Sequence, residues 1–163
     1  MITIRLADKN DLPRLLEIYN NILINTTAIY SSEPHTLQMR TEWFETKQIQ
    51  GFPVYVAEYN NAVAGFATFG PFRAWPGYRY TVENSVYVAS EARGNGIAKT
   101  LMPYIINAAK QLNMHVMVAG IDAENSASIK LHEQFGFIEV GHFREVGFKF
   151  ERWLDLKFLQ LTL

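Results

Sequence analysis

Apolar and polar positions follow two different periods along the chain, and the switches between them mark out its elements. Residues 2–6 alternate and predict a first strand. Leu12, Leu15, Leu16, Tyr19, Ile22 and Leu23 then recur at helical spacing, with Asp8 or Asn10 as cap and Pro13 tolerated in the first turn. Residues 25–35 are polar and broken by Pro34, and a second helix is expected from Thr36 to Ile49, ended by Gly51 and Pro53. Val54–Tyr59 and Ala62–Phe69 are strand-like runs on either side of Asn60-Asn61; asparagine tolerates the positive φ of a tight turn, so they read as a hairpin. An aromatic-rich loop from Gly70-Pro71 to Gly77 leads to a strand over Tyr80–Val88. A glycine-containing segment then opens a helix carrying Leu101, Ile105 and Ala108. His115–Ile121 reads as a buried strand and Asn125–Phe135 as a short helix stopped by Gly136. Phe137–Phe143 and Phe148–Phe158 read as the last two strands. In the last, Phe148, Phe150, Leu154, Leu156 and Phe158 fall on one face and Trp153 on the other, which is too apolar for a strand with one free face. This order of elements implies a mixed α/β domain with helices on both faces of its sheet.

Composition narrows the classes without choosing among enzymes. A chain of 163 residues, 48% hydrophobic and 19% charged, suits one globular domain spanning residues 1–163. Its net charge of −1 supplies no field to draw it to nucleic acid or an anionic membrane. The absence of cysteine excludes disulfides, thiolate metal sites and an acyl-cysteine intermediate. The first six residues lack the apolar core of a signal peptide, and no apolar run reaches the roughly 20 residues that span a bilayer, so a cytoplasmic location is expected. His35, His115, His132 and His142 show no metal-ligand spacing, and no metal is expected.

The segment from Arg93 to Lys99 lies between a strand and a helix, where unpaired helix N–H groups make an anion site and glycines permit close backbone approach. It reads equally as a plain strand-to-helix turn. A dinucleotide fingerprint has glycines at three spaced positions; Gly94 and Gly96 fill two, but the bulky Lys99 stands at the third. An NTPase-type phosphate loop fails on the spacing between Gly96 and Lys99. A pyrophosphate cradle remains, because Arg93-x-x-Gly96-x-Ala98 is similar to the acyl-CoA signature of the GNAT acetyltransferases, Gln/Arg-x-x-Gly-x-Gly/Ala.

That resemblance extends along nearly the whole chain and narrows to the phosphinothricin and methionine sulfoximine/sulfone acetyltransferases. Thr81-Val82-Glu83-Asn84-Ser85-Val86-Tyr87-Val88 resembles a strand of that family, as does Gly70-Pro71-Phe72-Arg73-Ala74 before it. So do Thr27, Glu33-Pro34 and Thr36, Leu131-His132-Glu133 with Gly136-Phe137, and Gly147-Phe148-Lys149 with Trp153 and Asp155. The resemblance implies a GNAT fold, with a mixed, mostly antiparallel sheet of about seven strands and helices on both faces. It implies acetyl-CoA as co-substrate, a homodimer, and a small acceptor with a free α-amine, a carboxylate and a polar tetrahedral centre.

Site residues follow from the resemblance and from the chemistry it brings. Acetyl transfer needs a neutral amine, and a carboxylate close by can take its proton. Glu83 shares a strand face with Thr81, Ser85 and Tyr87, opposite Val82, Val86 and Val88. Read without the resemblance it is first a solvated or ion-paired strand carboxylate; with it, Glu83 is the general base. Val86 and Val88 are carried over as backbone contacts to the pantetheine arm, and Arg93, Gly94, Gly96, Ala98 and Lys99 as the pyrophosphate cradle. Asn125 is either a contact to the cofactor arm or a helix cap. His132 stands where many GNAT enzymes carry a tyrosine acid, although the narrower family also has histidine there; it is either that acid or a packed residue. Arg73 and Arg79 flank the loop before Glu83 and suit a carboxylate clamp, or are ordinary surface arginines. Tyr78 and Thr81 complete the acceptor-side candidates. With no cysteine and no Gly-x-Ser-x-Gly elbow, direct transfer is the simplest mechanism. Acetylation of a polyamine or a protein N-terminus, or acyl-CoA binding by a sensor without turnover, are the alternatives.

Overall fold

The computed structural model describes residues 1–163. Its sheet has seven strands, β1 (Ile2–Leu6), β2 (Val54–Tyr59), β3 (Ala62–Pro71), β4 (Thr81–Val88), β5 (Val116–Asp122), β6 (Ile138–Lys149) and β7 (Arg152–Thr162), in the order β1-β2-β3-β4-β5-β7-β6. Only β4 and β5 pair in parallel. The helices are α1 (Leu12–Asn25), α2 (Leu37–Gln50), α3 (Ile97–Gln111) and α4 (Ser126–Gln134). This is the mixed, mostly antiparallel α/β architecture expected from the sequence. No helix is long and apolar enough to cross a membrane.

Local chemistry sets most boundaries. Asn60 and Asn61 take φ of 52° and 61° and turn β2 into β3 as a two-residue hairpin. The Thr36 hydroxyl accepts from the Met39 N–H to start α2, and Gly51 at φ 74° ends it. Asp8 caps the short 3-10 turn that precedes α1. α1 and α2 cover the sheet face carrying Phe66 and Tyr87, with Tyr19 edge-on to Tyr87 at 5.6 Å and Trp43 to Phe66 at 6.2 Å. α3 covers the other face through the buried Leu101, Met102 and Ile105. Each such buried side chain contributes about 1.5–3 kcal/mol of transfer free energy. β3 has glycine at position 65 for room: an added Cβ would come within 2.7 Å of the Tyr87 carbonyl and 2.9 Å of Ile97 Cγ2.

The end of the chain corrects one expectation. β6 runs on to Lys149, Phe150 and Glu151 turn the chain at φ 51° and 56°, and β7 starts only at Arg152. Phe148 therefore pairs with Trp153 and shares its face, rings 4.9 Å apart, instead of opposing it. Phe150 belongs to the turn and to neither face of β7. Phe and Glu lack the turn signature of Asn or Gly, so periodicity carried the strand through the bend.

The feature that builds a site is a fork. β4 pairs with β5 only over Thr81–Glu83, against Val116–Val118. Beyond it β4 stays with β3, up to Val88 opposite Gly65, while β5 stays with β7, up to Asp122 opposite Leu156. The sheet opens between them.

Candidate active site

Backbone parity decides what the fork exposes. The Ala89 N–H bonds to Ala64 of β3, and the Thr81 carbonyl accepts from the Phe72 N–H, so odd-numbered residues of β4 turn their backbone groups to β3. Even-numbered ones face the other way, as the Tyr80 carbonyl does in accepting from His115 and Val116. Val86 and Val88 consequently point their N–H and C=O groups into the open fork, where no strand pairs with them. An extended amide-bearing arm fits such an edge as an added strand does.

A groove of about 760 Å³ runs through the fork, within the range of small-molecule sites. Val86, Tyr87 and Val88 line it from β4, and Arg93, Gly94, Gly96, Ala98 and Lys99 from the loop and first turn of α3. Gly94 and Gly96 hold φ of 81° and 80°, with nothing within 4 Å of where a Cβ would stand. A side chain there is strained by the backbone and would stand in open space at the helix N-terminus, where an anion is favoured. Asn125 lines the groove and also caps α4, its side-chain oxygen accepting from the Ser128 N–H at 3.2 Å. Every residue predicted for the cofactor lies along this one groove.

Glu83 stands at the vertex of the fork, as the last β4 residue paired to β5. Its side chain lies over β5, where a Cβ on Gly120 would come within 3.0 Å of Glu83 Oε1 and 3.4 Å of Phe158 Cε1. Glycine at 120 is what leaves room for the carboxylate. Burial lifts the Glu83 carboxyl above the ordinary glutamate value, and the nearby charge of Arg73 pulls it partly back. Aromatic rings stand close by: Phe72 lies edge-on to Tyr78 at 5.7 Å and to Phe158 at 6.1 Å, and Phe158 edge-on to Phe143 at 5.6 Å. Arg73 sits against the Phe72 ring with its charge within reach of Glu83. Thr81 is half-buried two residues before Glu83 on the same strand. Arg79 is turned elsewhere, stacked on Tyr80 and donating to the Pro76 carbonyl at 3.2 Å, so the structure does not bring the two arginines together.

His132 is 3% exposed and does not line the groove. Its Nδ1 lies 2.7 Å from the Ser128 carbonyl, which requires the proton there, and leaves Nε2 to accept from the Asn84 side-chain amide at 3.1 Å. Burial holds the ring below the usual histidine value. No group of His, Asp and Glu converges as a metal site would require.

The chain matches the acetyltransferase (GNAT) domain over residues 4–157. It belongs to the GNAT acetyltransferase family. It is 45% identical to an L-methionine sulfoximine/L-methionine sulfone acetyltransferase of Salmonella typhimurium, over 99% of this chain and 95% of that one. The crystal structure of a phosphinothricin acetyltransferase from Sinorhizobium meliloti in complex with acetyl-CoA superposes with a TM-score of 0.96 at 36% identity, covering 99% of this chain and 88% of that one. A ribosomal-protein-alanine N-acetyltransferase from Brucella melitensis superposes with a TM-score of 0.97 at 49% identity, over 99% of both chains.

The groove of this GNAT chain also has walls that sequence reasoning missed. Lys130 and Gln134 extend it along α4 from Asn125, on either side of Leu131, which already figured in the family resemblance. Their helical spacing was a usable signal. Ile22, Thr26, Thr27 and Ala28 close it from the end of α1 and the following loop. No period marks that loop, and of these residues only Thr27 figured in the family resemblance.

Proposed function

We propose that residues 1–163 form a single catalytic domain that transfers the acetyl group of acetyl-CoA directly to the amine of a small amino-acid-like acceptor. Methionine sulfoximine, methionine sulfone and phosphinothricin are the models for that acceptor. The carrying observation is the place of Glu83, a half-buried carboxylate at the vertex where the two strands part. The pantetheine arm pairs with the free β4 edge at Val86 and Val88, and the pyrophosphate rests on the Arg93–Lys99 turn. Glu83, directly or through one water, takes a proton from the acceptor ammonium. The amine nitrogen then bonds to the thioester carbonyl carbon, and collapse of the tetrahedral adduct breaks the C–S bond. The thiolate leaves and takes up, through water, the second proton that the nitrogen sheds as it becomes an amide. Free N–H groups along the β4 edge stabilise the oxyanion. Arg73, next to Glu83, receives the acceptor carboxylate, and the ring of Tyr78 stands beside it.

His132 has no free proton to give in this arrangement. We assign it to holding Asn84, and through it β4, against α4.

A second reading is favoured by the likeness to the ribosomal-protein-alanine enzyme: the acceptor is then a protein N-terminus. The decisive assay follows thiol release from acetyl-CoA with methionine sulfoximine, methionine sulfone, phosphinothricin, spermidine and an Ala-start peptide. Turnover of the first three alone is the expected result. Turnover of the peptide alone moves the acceptor to the second reading, and acetyl-CoA binding without turnover of any amine contradicts the enzyme assignment.

A further inference from the structure

The loop after α1 contributes Thr26, Thr27 and Ala28 to the groove. Two side chains tie it to the β6–β7 hairpin, Lys149 reaching in from β6 and Tyr30 reaching out from the loop itself. The first is Lys149, a lysine only 7% exposed with no carboxylate partner. Its ammonium donates to the carbonyls of Leu23, Thr26 and Ile29, the last two at 2.7 Å each. Three donors meet three acceptors, so the buried cation is fully satisfied. Its position at the C-terminal end of α1 is also the favoured end of the helix dipole for a cation.

The second anchor is Tyr30. Its hydroxyl lies 2.8 Å from the Asp155 carbonyl on β7 and 3.2 Å from the Asp122 carboxylate at the tip of β5. Its ring packs against Gly147, where an added Cβ would meet Tyr30 Cε2 at 2.6 Å. Glycine is therefore required at 147 for ring clearance. The segment leaves α1 beside β4 and is pinned at the tip of β5, so it bridges the two lips of the fork.

We propose that Lys149, and Tyr30 seated on Gly147, are positioning residues that hold segment 26–30 as a fixed wall of the groove. Neither touches the reacting atoms. Their removal loosens the wall and weakens donor binding before it affects chemistry. The inference rests on the reading of the groove as the acetyl-CoA site.

The test uses the full-length protein. Lys149→Met is expected to raise KM for acetyl-CoA about tenfold with a much smaller change in kcat. Amide exchange over residues 26–33 should quicken while the rest of the protein keeps its protection. Because the chain has no other cysteine, Lys149→Cys can be aminoethylated in denaturant and refolded, which restores an ammonium at that position and should restore both readouts. If Lys149→Met does not fold, Tyr30→Phe, which removes only a hydroxyl, supplies the same pair of measurements. Unchanged exchange, or faster exchange with unchanged KM, overturns the proposal. Failure of the wild-type protein to bind acetyl-CoA would instead overturn the underlying reading of the groove, while the exchange result would still report on the clasp.

Discussion

At the residue scale, the proposed chemistry turns on how Glu83 is held. Its carboxyl is raised by burial, and the folded state therefore binds its proton more tightly than the unfolded chain does. The sign of the linkage follows: its favourable contribution is complete below the unfolded value and is lost as pH rises through the folded one. At neutral pH the ionised carboxylate weighs against folding. Glu83→Gln should accordingly raise the melting temperature at pH 7, measured by calorimetry, even as it removes turnover. A lowered melting temperature would mean that the carboxylate is a structural ion-pair partner. Arg73 acts on the same equilibrium. Its charge favours ionised Glu83, so Arg73→Ala should shift the acid limb of the kcat/KM profile to higher pH and raise the acceptor KM. An unmoved limb would separate the two residues. Glu83 could be picked out of the sequence through the family resemblance of its strand, since a carboxylate among strand formers is unusual but does not by itself name a role. Its neighbour Gly120 could not, since its role is to leave space across a strand pair.

At the element scale, α4 is tied to β4 through the Ser128–His132–Asn84 chain of hydrogen bonds. The His132 ring is buried and held below its ordinary value, so its contribution to stability is present above the unfolded value near 6.5 and is lost as pH falls through the folded value. Thermal melts between pH 7.5 and pH 5 should show a smaller loss for His132→Gln than for the wild type; equal losses would contradict the buried neutral ring. The α3 turn offers a second check. Gly96→Ala forces a left-handed backbone on alanine, costing about 1 kcal/mol, and places a methyl where a phosphate would sit. Acetyl-CoA affinity should fall well beyond what that stability change explains. Elements of this kind were legible in the sequence when their cause is local: the left-handed Asn60-Asn61 turn and the glycines before α3 both follow from the conformations those residues tolerate. The turn at Phe150-Glu151 was not, because neither residue advertises positive φ. The loop wall at Thr26–Ala28 was not, because its path is set by Lys149, more than a hundred residues away.

At the scale of the whole molecule, the sheet order puts every predicted donor-side residue along one groove, although the contributing segments run from residue 86 to residue 125. The sequence motifs named those segments; the parting of β4 and β5 assembles them, and that depends on register no local pattern encodes. The β6–β7 hairpin leaves Phe148, Phe150 and Trp153 more than half exposed, an apolar patch of the kind that marks an interface. A homodimer, which the family resemblance implies, would cover it. Light scattering at micromolar concentration should give twice the chain mass, and Trp153→Arg should shift the population toward monomer; a monomer for the wild type would reject the dimer. The proposed activity needs a groove that binds acetyl-CoA and a carboxylate that then removes a proton. The most direct test pairs acetyl-CoA binding by calorimetry with acetyl transfer to methionine sulfoximine, for the wild type and Glu83→Gln side by side. Equal donor affinity with transfer lowered about 100-fold or more is the predicted result; equal affinity with undiminished transfer would contradict it.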